Sequence, residues 1–334
     1  GKRCSTCTVY SAGGALLIST EKIVRQWKEY FGDLLSPTDT SSEEEAESGD
    51  EGKDPPISGG EVTEAVKHLL GGRAPGVDEV RPEFLKALDV VGLSWLTRLY
   101  NVAWRSVAVP LDWQPGVVVP IFKKGDRRVC SNYRGITLLS LSWKVYARVL
   151  ERRVRPLVEP RRQEEQCGFR PGHGTLDQLF ILSRILEGAW EFAQPVYMCF
   201  VDLEKAFDRV PWRWELLREY GVSGPLLRAI RSLYNRCKSL VRIAGNKLDS
   251  FPVGDGLRQG CPLSPILFII FMDRISRCSQ VAEGFHFVGL RISSLLFADD
   301  VVLLASLSEG LQLALEQFTA QCEAAGMRIS TSQI

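Results

Sequence analysis

Three aspartates in this sequence are placed where their carboxylates could act together. Asp299 and Asp300 are adjacent within the apolar run "LLFADDVVLLA", residues 295–305, and Asp202 directly follows "VYMCFV", residues 196–201. Neighbouring carboxylates repel each other and lose hydration when buried, so they need open water, a cation or a metal ion. Mg²⁺ prefers hard oxygen ligands, and pairs of such ions serve polymerases and nucleases. Phosphoryl transfer is therefore the chemistry that these residues suggest.

Each aspartate also has a simpler interpretation. The runs on both sides of Asp299 and Asp300 have the composition of strands, so the pair can form a solvated hairpin turn. Asp202 can cap a helical turn after its strand. The three carboxylates would meet only if the two apolar strands are neighbours that end at the same edge of a sheet.

The elements around these residues mix helices and strands. Helical spacing of apolar residues predicts an amphipathic helix over residues 19–35 and further helices along the chain, at about 60–70, from about 81, and over 96–110, 142–158, from 264 onward and 309–326. Short β-rich runs alternate with them irregularly. This pattern favours an α+β fold over a doubly wound parallel sheet.

A cationic hairpin is predicted near the middle of the chain. Two β-rich runs, Val117–Phe122 and Tyr133–Leu139, are joined by a loop rich in Lys and Arg. Lys123, Lys124 and Arg134 could bind phosphate, Arg with two hydrogen bonds and Lys as a point charge. The alternative is an ordinary solvated turn.

Charge is distributed unevenly along the 334 residues. The formal net charge is +1, but the segment from Pro37 to Pro56 holds eight acidic residues and one Lys, so the rest of the chain is basic. The acidic segment lacks apolar residues, which predicts a flexible linker over residues 37–58. Basic surface outside it suggests a nucleic-acid or phosphate partner.

Several classes of protein are disfavoured. The longest apolar run, Pro265–Met272, is bounded by Asp273 and Arg274, so membrane insertion is not expected. The nine cysteines form no regular framework, which predicts a reducing, intracellular setting. Cys4 and Cys7 have the spacing of half a zinc site without a second half nearby.

Five motifs in order now resemble one family. They are "NYRGITLLS", "QCGFRPGHGTLDQLF", "FVDLEKAFD", "RQGCPLSPILF" and "FADD". The chain resembles the reverse transcriptases of non-LTR (LINE-type) retrotransposons, relatives of the group II intron enzymes, from about Glu61 to its end. The resemblance implies an RNA-directed DNA polymerase with right-hand fingers and palm and a mostly antiparallel palm sheet preceded by helices.

The resemblance also implies roles for individual residues. Asp202, Asp299 and Asp300 would hold two Mg²⁺ ions, with Mn²⁺ as a substitute, and the carbonyl of Leu203 would be a further ligand. The nucleotide-binding residues would be Lys123, Arg134, Phe207, Gln259 and Gly260. Phe207 would exclude a ribose 2′-hydroxyl, although an ordinary core aromatic is the alternative. The implied partners are an RNA template, a DNA primer and dNTPs, and target-primed integration would place the protein in the nucleus.

The family pattern also suggests a division of the chain. We expect a connector with the amphipathic helix at 1–36, the acidic linker at 37–58, a fingers-side region at 59–195 and the palm at 196–334, with the reverse transcriptase domain starting near 113. The thumb is not expected within these residues. Gln333 stands where related elements have a Lys that is a candidate general acid toward pyrophosphate.

Two other functions stay open at this point. An inactive retrotransposon relic would bind nucleic acid through its basic surface and incorporate no nucleotide. A two-metal nuclease would degrade nucleic acid without dNTPs and would have no use for Phe207 or Gln259.

Overall fold

The computed structural model describes residues 8–35, 54–243, 246–247, 250–279, 284–287 and 289–330. The chain forms two compact units, each made of two separate stretches. Unit 1 comprises Gly1–Pro156 and Gly221–Ser264, and unit 2 comprises Leu157–Tyr220 and Pro265–Ile334. The division into fingers-side and palm regions at residues 195 and 196 stays a prediction, because compact units are defined by packing alone.

Helices and strands alternate irregularly in both units. The α-helices, numbered α1 to α10, are Thr20–Leu35, Gly59–Lys67, Pro82–Lys86, Val90–Ser106, Leu141–Val158, Thr175–Glu191, Glu215–Glu219, Gly224–Tyr234, Ser264–Cys278 and Ser308–Ala324. The strands, numbered β1 to β12, are Val9–Tyr10, Leu16–Leu17, Pro115–Phe122, Tyr133–Leu138, Tyr197–Val201, Lys238–Ile243, Asn246–Lys247, Phe251–Pro252, Phe285–Phe287, Leu290–Ile292, Ser294–Phe297 and Asp300–Ala305. Among the strands that the structure describes, every pair except β3 with β6 is antiparallel, which confirms the α+β prediction.

Unit 1 is built around the predicted hairpin. β3 and β4 pair from Val117 with Leu138 to Phe122 with Tyr133, and β6 extends the sheet in parallel to β3. Helix α5 is buried along much of its length, because apolar side chains recur at helical spacing on its inner face. The hairpin prediction is confirmed.

The amphipathic helix α1 packs on this hairpin. Its Trp27 is fully buried, stacks on Phe31 and meets Tyr133 of β4 edge to face at 4.9 Å between ring centroids. A Cβ atom on Gly135 would lie 2.8 Å from the Phe31 ring, so β4 needs a glycine at this crossing. The sequence pattern therefore correctly predicted a helix with something to pack against.

Helix α4 ends earlier than predicted. It stops at Ser106, and Val107 adopts a left-handed conformation with φ of 53°. The sequence placed the end at Pro110, whose missing N–H is the obvious stop signal. The left-handed residue that ends the helix is a Val, which sequence patterns do not favour there.

Unit 2 contains the three-stranded antiparallel sheet β11-β12-β5. Ile185 and Ala189 of α6 pack against Leu295 of β11 and Leu304 of β12 to form its buried cluster with Phe285. Two of the apolar runs predicted as strands, β11 and β12, thus form one side of this core, and helix α6 forms the other.

Helix α9 is held to the rest of unit 2 by a buried carboxylate. The Asp273 side chain is 0 % exposed and accepts hydrogen bonds from the Gln163 N–H at 2.8 Å, the Arg277 Nε at 2.8 Å and the Tyr220 hydroxyl. Burial first, and then the Asp273 carboxylate, raise the pKa of Tyr220, so its hydroxyl stays a donor. The bond from the Gln163 N–H fixes the backbone at the start of the loop that follows Arg162.

Some predictions concern residues outside the described ranges. These are most of the acidic linker, the half zinc site at Cys4 and Cys7, and Gln333. Among the helices that the structure describes, none is both long enough and apolar enough to cross a membrane.

We expect the variant Asp273→Ala to lower the free energy of unfolding by about 2–5 kcal/mol, because it leaves the buried Tyr220 hydroxyl and the Gln163 N–H without their acceptor. Denaturant unfolding followed by circular dichroism measures the change. The matched control is Arg274→Ala, which breaks an exposed ion pair of 3.6 Å with Glu219 on the same helix and should cost about 1 kcal/mol or less. Equal losses in the two variants would contradict the structural role of Asp273.

Candidate active site

Two neighbouring strands bring the predicted aspartates to one edge of the unit 2 sheet. β5 and β12 are antiparallel, and Val201 is the register partner of Val301. Asp202 follows the last residue of β5, and Asp300 is the first residue of β12, so the two lie opposite each other across the strand pair. This arrangement satisfies the condition that the sequence left open.

The turn between β11 and β12 consists of Ala298 and Asp299. Phe297 pairs with Asp300 across it, so Asp300 already belongs to the strand. Ala298 takes the left-handed conformation, with φ of 57°. The sequence predicted a turn at the two aspartates, whereas the structure places it one residue earlier. Asp299 consequently projects from the turn and Asp300 from the strand.

The charges of Asp202 and Asp299 act on the ionisation of Asp300. Partial burial first, and then the negative charges of Asp299 and Asp202, raise the pKa of Asp300. Arg209, seven residues after Asp202, is 3.5 Å from Glu204. The charges of Asp202 and Asp299 disfavour ionisation of Asp300, an effect that a bound cation would offset.

The backbone at Leu203 leaves a carbonyl available on the same edge. Leu203 forms an antiparallel bridge with Ile329, in which the Glu204 N–H donates to the Arg328 carbonyl and the Ser330 N–H to the Asp202 carbonyl, both at 2.8 Å. In a bridge of this type the central pair directs its own N–H and C=O away from each other. The Leu203 carbonyl is therefore not used by this bridge.

The donor set fits a hard divalent cation. Carboxylate and carbonyl oxygens are the ligands that Mg²⁺, Mn²⁺ and Ca²⁺ prefer. In the part of the chain that the structure describes, no three His, Cys, Asp or Glu side chains already close around one point as a metal-ligand set. The site thus has the right oxygens on one edge without a preformed cage of protein ligands, which suits an ion that keeps water and substrate oxygens in its coordination shell.

Phe207 lies in an aromatic stack in unit 2. Its ring is parallel to that of Phe268 at 4.3 Å and meets Phe169 edge to face at 5.8 Å between centroids. The side chain is only half-buried. Its ring is therefore fixed by its neighbours while part of its surface stays accessible. An aromatic residue that served only the core would be buried completely.

The remaining predicted nucleotide-binding residues lie in unit 1. Arg134 of β4 donates through its Nε to the Gln259 side-chain oxygen, although the two residues are 125 positions apart. The Thr137 N–H donates to the Gln259 carbonyl at 3.0 Å. Gly260 has φ of 110°, and a Cβ there would lie 3.0 Å from the Thr137 carbonyl oxygen. The loop residues Gln259 and Gly260 thus pack against β4, where they contact Arg134 and Thr137.

Lys123 is placed differently from this cluster. It is exposed at the end of β3, and its backbone N–H donates to the Asn132 carbonyl at 3.0 Å. Two cations of the same loop are engaged locally, since Arg127 lies over Phe122 and Arg128 pairs with Asp126 at 2.8 Å. The exposed ammonium of Lys123 is consistent with binding a mobile anion.

Sequence reasoning missed residues that hold the Ala298–Asp299 turn. The segment Glu165–Gly168 runs beside β11, with a parallel bridge between Gln166 and Leu296. Three of these residues, Gln166 to Gly168, belong to the motif "QCGF", to which sequence reasoning assigned no role beyond the family resemblance. The available signal was Gln166 two residues before Gly168 in a loop. Its partner, Ala298, lies 132 positions away, so the local sequence does not indicate the contact.

Comparisons with known proteins agree with this geometry. The model of the family described as "Reverse transcriptase (RNA-dependent DNA polymerase)" matches residues 121–333, more than half of the chain. That range contains every aspartate of the candidate site and all the predicted nucleotide-binding residues.

Three relatives come from mobile elements. The chain is 29% identical to "Probable RNA-directed DNA polymerase from transposon BS" of Drosophila melanogaster, over 80% of this chain and 30% of that protein. It is 28% identical to "RNA-directed DNA polymerase from mobile element jockey" of Drosophila funebris, over 75% of this chain and 27% of that protein. The Xenopus laevis "Transposon TX1 uncharacterized 149 kDa protein" is 25% identical over 100% of this chain and 27% of its own length. The chain thus spans about a third or less of these relatives.

A solved structure shares the fold. Apo telomerase from Candida tropicalis, truncated from its C-terminal domain, superposes with a TM-score of 0.51 and 13% identity, over 72% of this chain and 55% of that chain. At this identity the likeness concerns the right-hand polymerase fold alone. The family model confirms the predicted resemblance, and the relatives with which it agrees come from non-LTR, LINE-type retrotransposons: the chain belongs to the reverse transcriptase (RNA-dependent DNA polymerase) family.

Proposed function

We propose that this chain is the polymerase core of a LINE-type reverse transcriptase. It extends the 3′-hydroxyl of a DNA primer with dNTPs under the direction of an RNA template. The observation that carries the proposal is the placement of Asp202, Asp299 and Asp300 at one edge of the β5/β12 pair. Reverse transcriptases as a family use divalent metals and nucleic-acid templates and primers, and the choice of Mg²⁺, DNA primer and dNTPs belongs to the proposal.

The proposed chemistry is an in-line displacement. The primer 3′-oxygen forms a bond to the α-phosphorus of the dNTP, and the bond from that phosphorus to the pyrophosphate oxygen breaks. Two Mg²⁺ ions, when bound, would lower the pKa of the attacking hydroxyl and stabilise the charge on the leaving oxygen. Asp202, Asp299, Asp300 and the Leu203 carbonyl would hold the ions.

The other residues would bind and orient the nucleotide. Lys123 and Arg134 would neutralise its triphosphate, and Gln259 and Gly260 would lie against the nucleotide and template. Gly260 is suited to this because a side chain would be strained at its positive φ. Phe207 would contact the sugar, with its ring fixed between two other phenylalanines.

Primer extension on an RNA template with Mg²⁺ tests the proposal. We expect Asp299→Asn to reduce dNTP incorporation roughly a thousandfold or more, because losing a metal ligand removes several kcal/mol of transition-state stabilisation. Glu204→Gln is the matched control, since it removes one exposed negative charge two residues from Asp202 and should leave the rate within about twofold of the unmodified chain.

Each outcome of this experiment has a distinct meaning. Incorporation that survives Asp299→Asn would refute the assignment of the aspartates. Salt-dependent RNA binding with no incorporation by the unmodified chain would favour an inactive relic. RNA or DNA cleavage without dNTPs would favour the nuclease alternative.

Substitution of Phe207 tests discrimination against ribonucleotides. We expect Phe207→Val to raise the ratio of rNTP to dNTP incorporation at least about tenfold, because the smaller side chain leaves space for a 2′-hydroxyl. Single-nucleotide extension with each nucleotide class measures this ratio. The control Phe169→Leu removes the edge-to-face contact on Phe207 and leaves the Phe207 side chain unchanged, so it should lower both rates alike. An unchanged ratio in Phe207→Val would show that Phe207 is an ordinary packing residue.

A further inference from the structure

We propose that Gln166 is a positioning residue for the metal-binding turn. Its side-chain amide fixes the backbone of Ala298 and thereby sets the directions in which Asp299 and Asp300 project. The inference rests on the proposed function for its catalytic meaning, because it assumes that these aspartates bind divalent cations.

The Gln166 side chain encloses the backbone of Ala298. Its Oε1 accepts hydrogen bonds from the Ala298 N–H at 3.0 Å and from the Gly168 N–H at 2.8 Å. Its Nε2 donates to the Ala298 carbonyl at 3.4 Å. Gln166 is 1 % exposed, so these bonds are shielded from water. One amide thus binds both the donor and the acceptor of a single turn residue.

Ala298 needs such support. Its φ of 57° lies in the left-handed region, where a residue with a Cβ is strained by about 1–2 kcal/mol. Buried backbone groups that lose their partners cost a further 1–3 kcal/mol each. Without the Gln166 amide, the turn would be expected to relax toward another conformation, and Asp299 would move with it because it is the next residue.

The segment that carries Gln166 is itself fixed to β11. The Cys167 N–H donates to the Leu296 carbonyl at 3.0 Å, and the Leu296 N–H donates to the Glu165 carbonyl at 3.1 Å. Gly168 allows the close approach, since a Cβ there would lie 2.2 Å from the Ala298 nitrogen. The Arg162 guanidinium donates to the Gln166 carbonyl. The amide is therefore held rigidly on both sides.

A general role in stability would be the simpler explanation, and Gln178 provides the comparison. Its Nε2 donates to the Glu165 carbonyl at 3.0 Å and to the Leu296 carbonyl at 3.2 Å. It joins the same segment to the same strand without a bond to Ala298. Loss of Gln178 should therefore weaken the packing of this region and leave the turn itself unaffected.

The first test uses metal-free protein. Amide hydrogen exchange of Ala298, measured by NMR or mass spectrometry, should accelerate about tenfold in Gln166→Met, as expected from the loss of one hydrogen bond. Gln178→Met should leave this amide protected. The protection of amides elsewhere in unit 2 should be unchanged in Gln166→Met, which separates a local loss at Ala298 from general unfolding.

The second test measures metal affinity directly. Mn²⁺ binding followed by electron paramagnetic resonance should be about 10–100-fold weaker in Gln166→Met than in the unmodified chain, the range for loss of residues that orient metal ligands. Gln178→Met should bind Mn²⁺ within about threefold of the unmodified chain, which is the range of context effects on such contacts. Thermal unfolding of the two variants should show losses of similar size.

Three results would overturn the inference. The first is an unchanged rate of Ala298 amide exchange in Gln166→Met. The second is an equal effect of Gln166→Met and Gln178→Met on Mn²⁺ affinity. The third is a loss of Mn²⁺ affinity in the two variants that follows their loss of thermal stability. None of these readouts depends on nucleotide incorporation. Failure of the unmodified chain to extend a primer would count against the proposed function and leave the role of Gln166 to be judged from exchange and Mn²⁺ binding.

Discussion

Three carboxylates at one sheet edge repel each other, and the local structure of unit 2 has to hold them together against that repulsion. The raised pKa of Asp300 reports the strain, because burial and the charges of Asp299 and Asp202 both disfavour its ionised form. An acid with a raised pKa in the folded state destabilises that state once pH exceeds the ordinary value, so in a metal-free chain Asp300 lowers the stability where it is charged. A bound cation reverses the sign of this interaction. Without a metal ion, the ionised Asp300 therefore lowers the free energy of unfolding.

The means of holding the carboxylates are distributed among several elements of one unit. Antiparallel pairing of β5 and β12 sets Asp202 opposite Asp300, the bridge at Leu203 fixes the backbone after Asp202, and the Gln166 amide encloses Ala298. The buried Asp273 carboxylate anchors the loop before Gln166 through the Gln163 N–H. Each contact acts on the backbone near an aspartate rather than on the aspartate itself. None of these contacts uses a carboxylate oxygen of Asp202, Asp299 or Asp300.

The sequence was sufficient to predict the elements and the chemistry at their ends. Apolar runs with β-rich composition predicted β5, β11 and β12, and helical periodicity predicted α1, α5 and α10, since these signals are local. The motif order identified the family without any structure. Local signals failed where a long-range partner decides the outcome. The turn at Ala298 lies one residue before the predicted position because Gln166, 132 residues away, stabilises a left-handed Ala. The contact between Arg134 and Gln259 likewise depends on sheet register, which no short segment encodes.

Binding of Mn²⁺ to the metal-free chain, titrated by electron paramagnetic resonance at neutral pH, measures most directly whether the aspartates form a cation site. The unmodified chain should bind Mn²⁺ saturably, and Mg²⁺ should displace it. The double variant Asp202→Asn with Asp299→Asn should lose this binding, while a double variant at exposed acids of the same unit, Glu187→Gln with Glu309→Gln, should keep it. Saturable Mn²⁺ binding of equal affinity in both double variants would contradict the proposal that Asp202, Asp299 and Asp300 hold the catalytic cations.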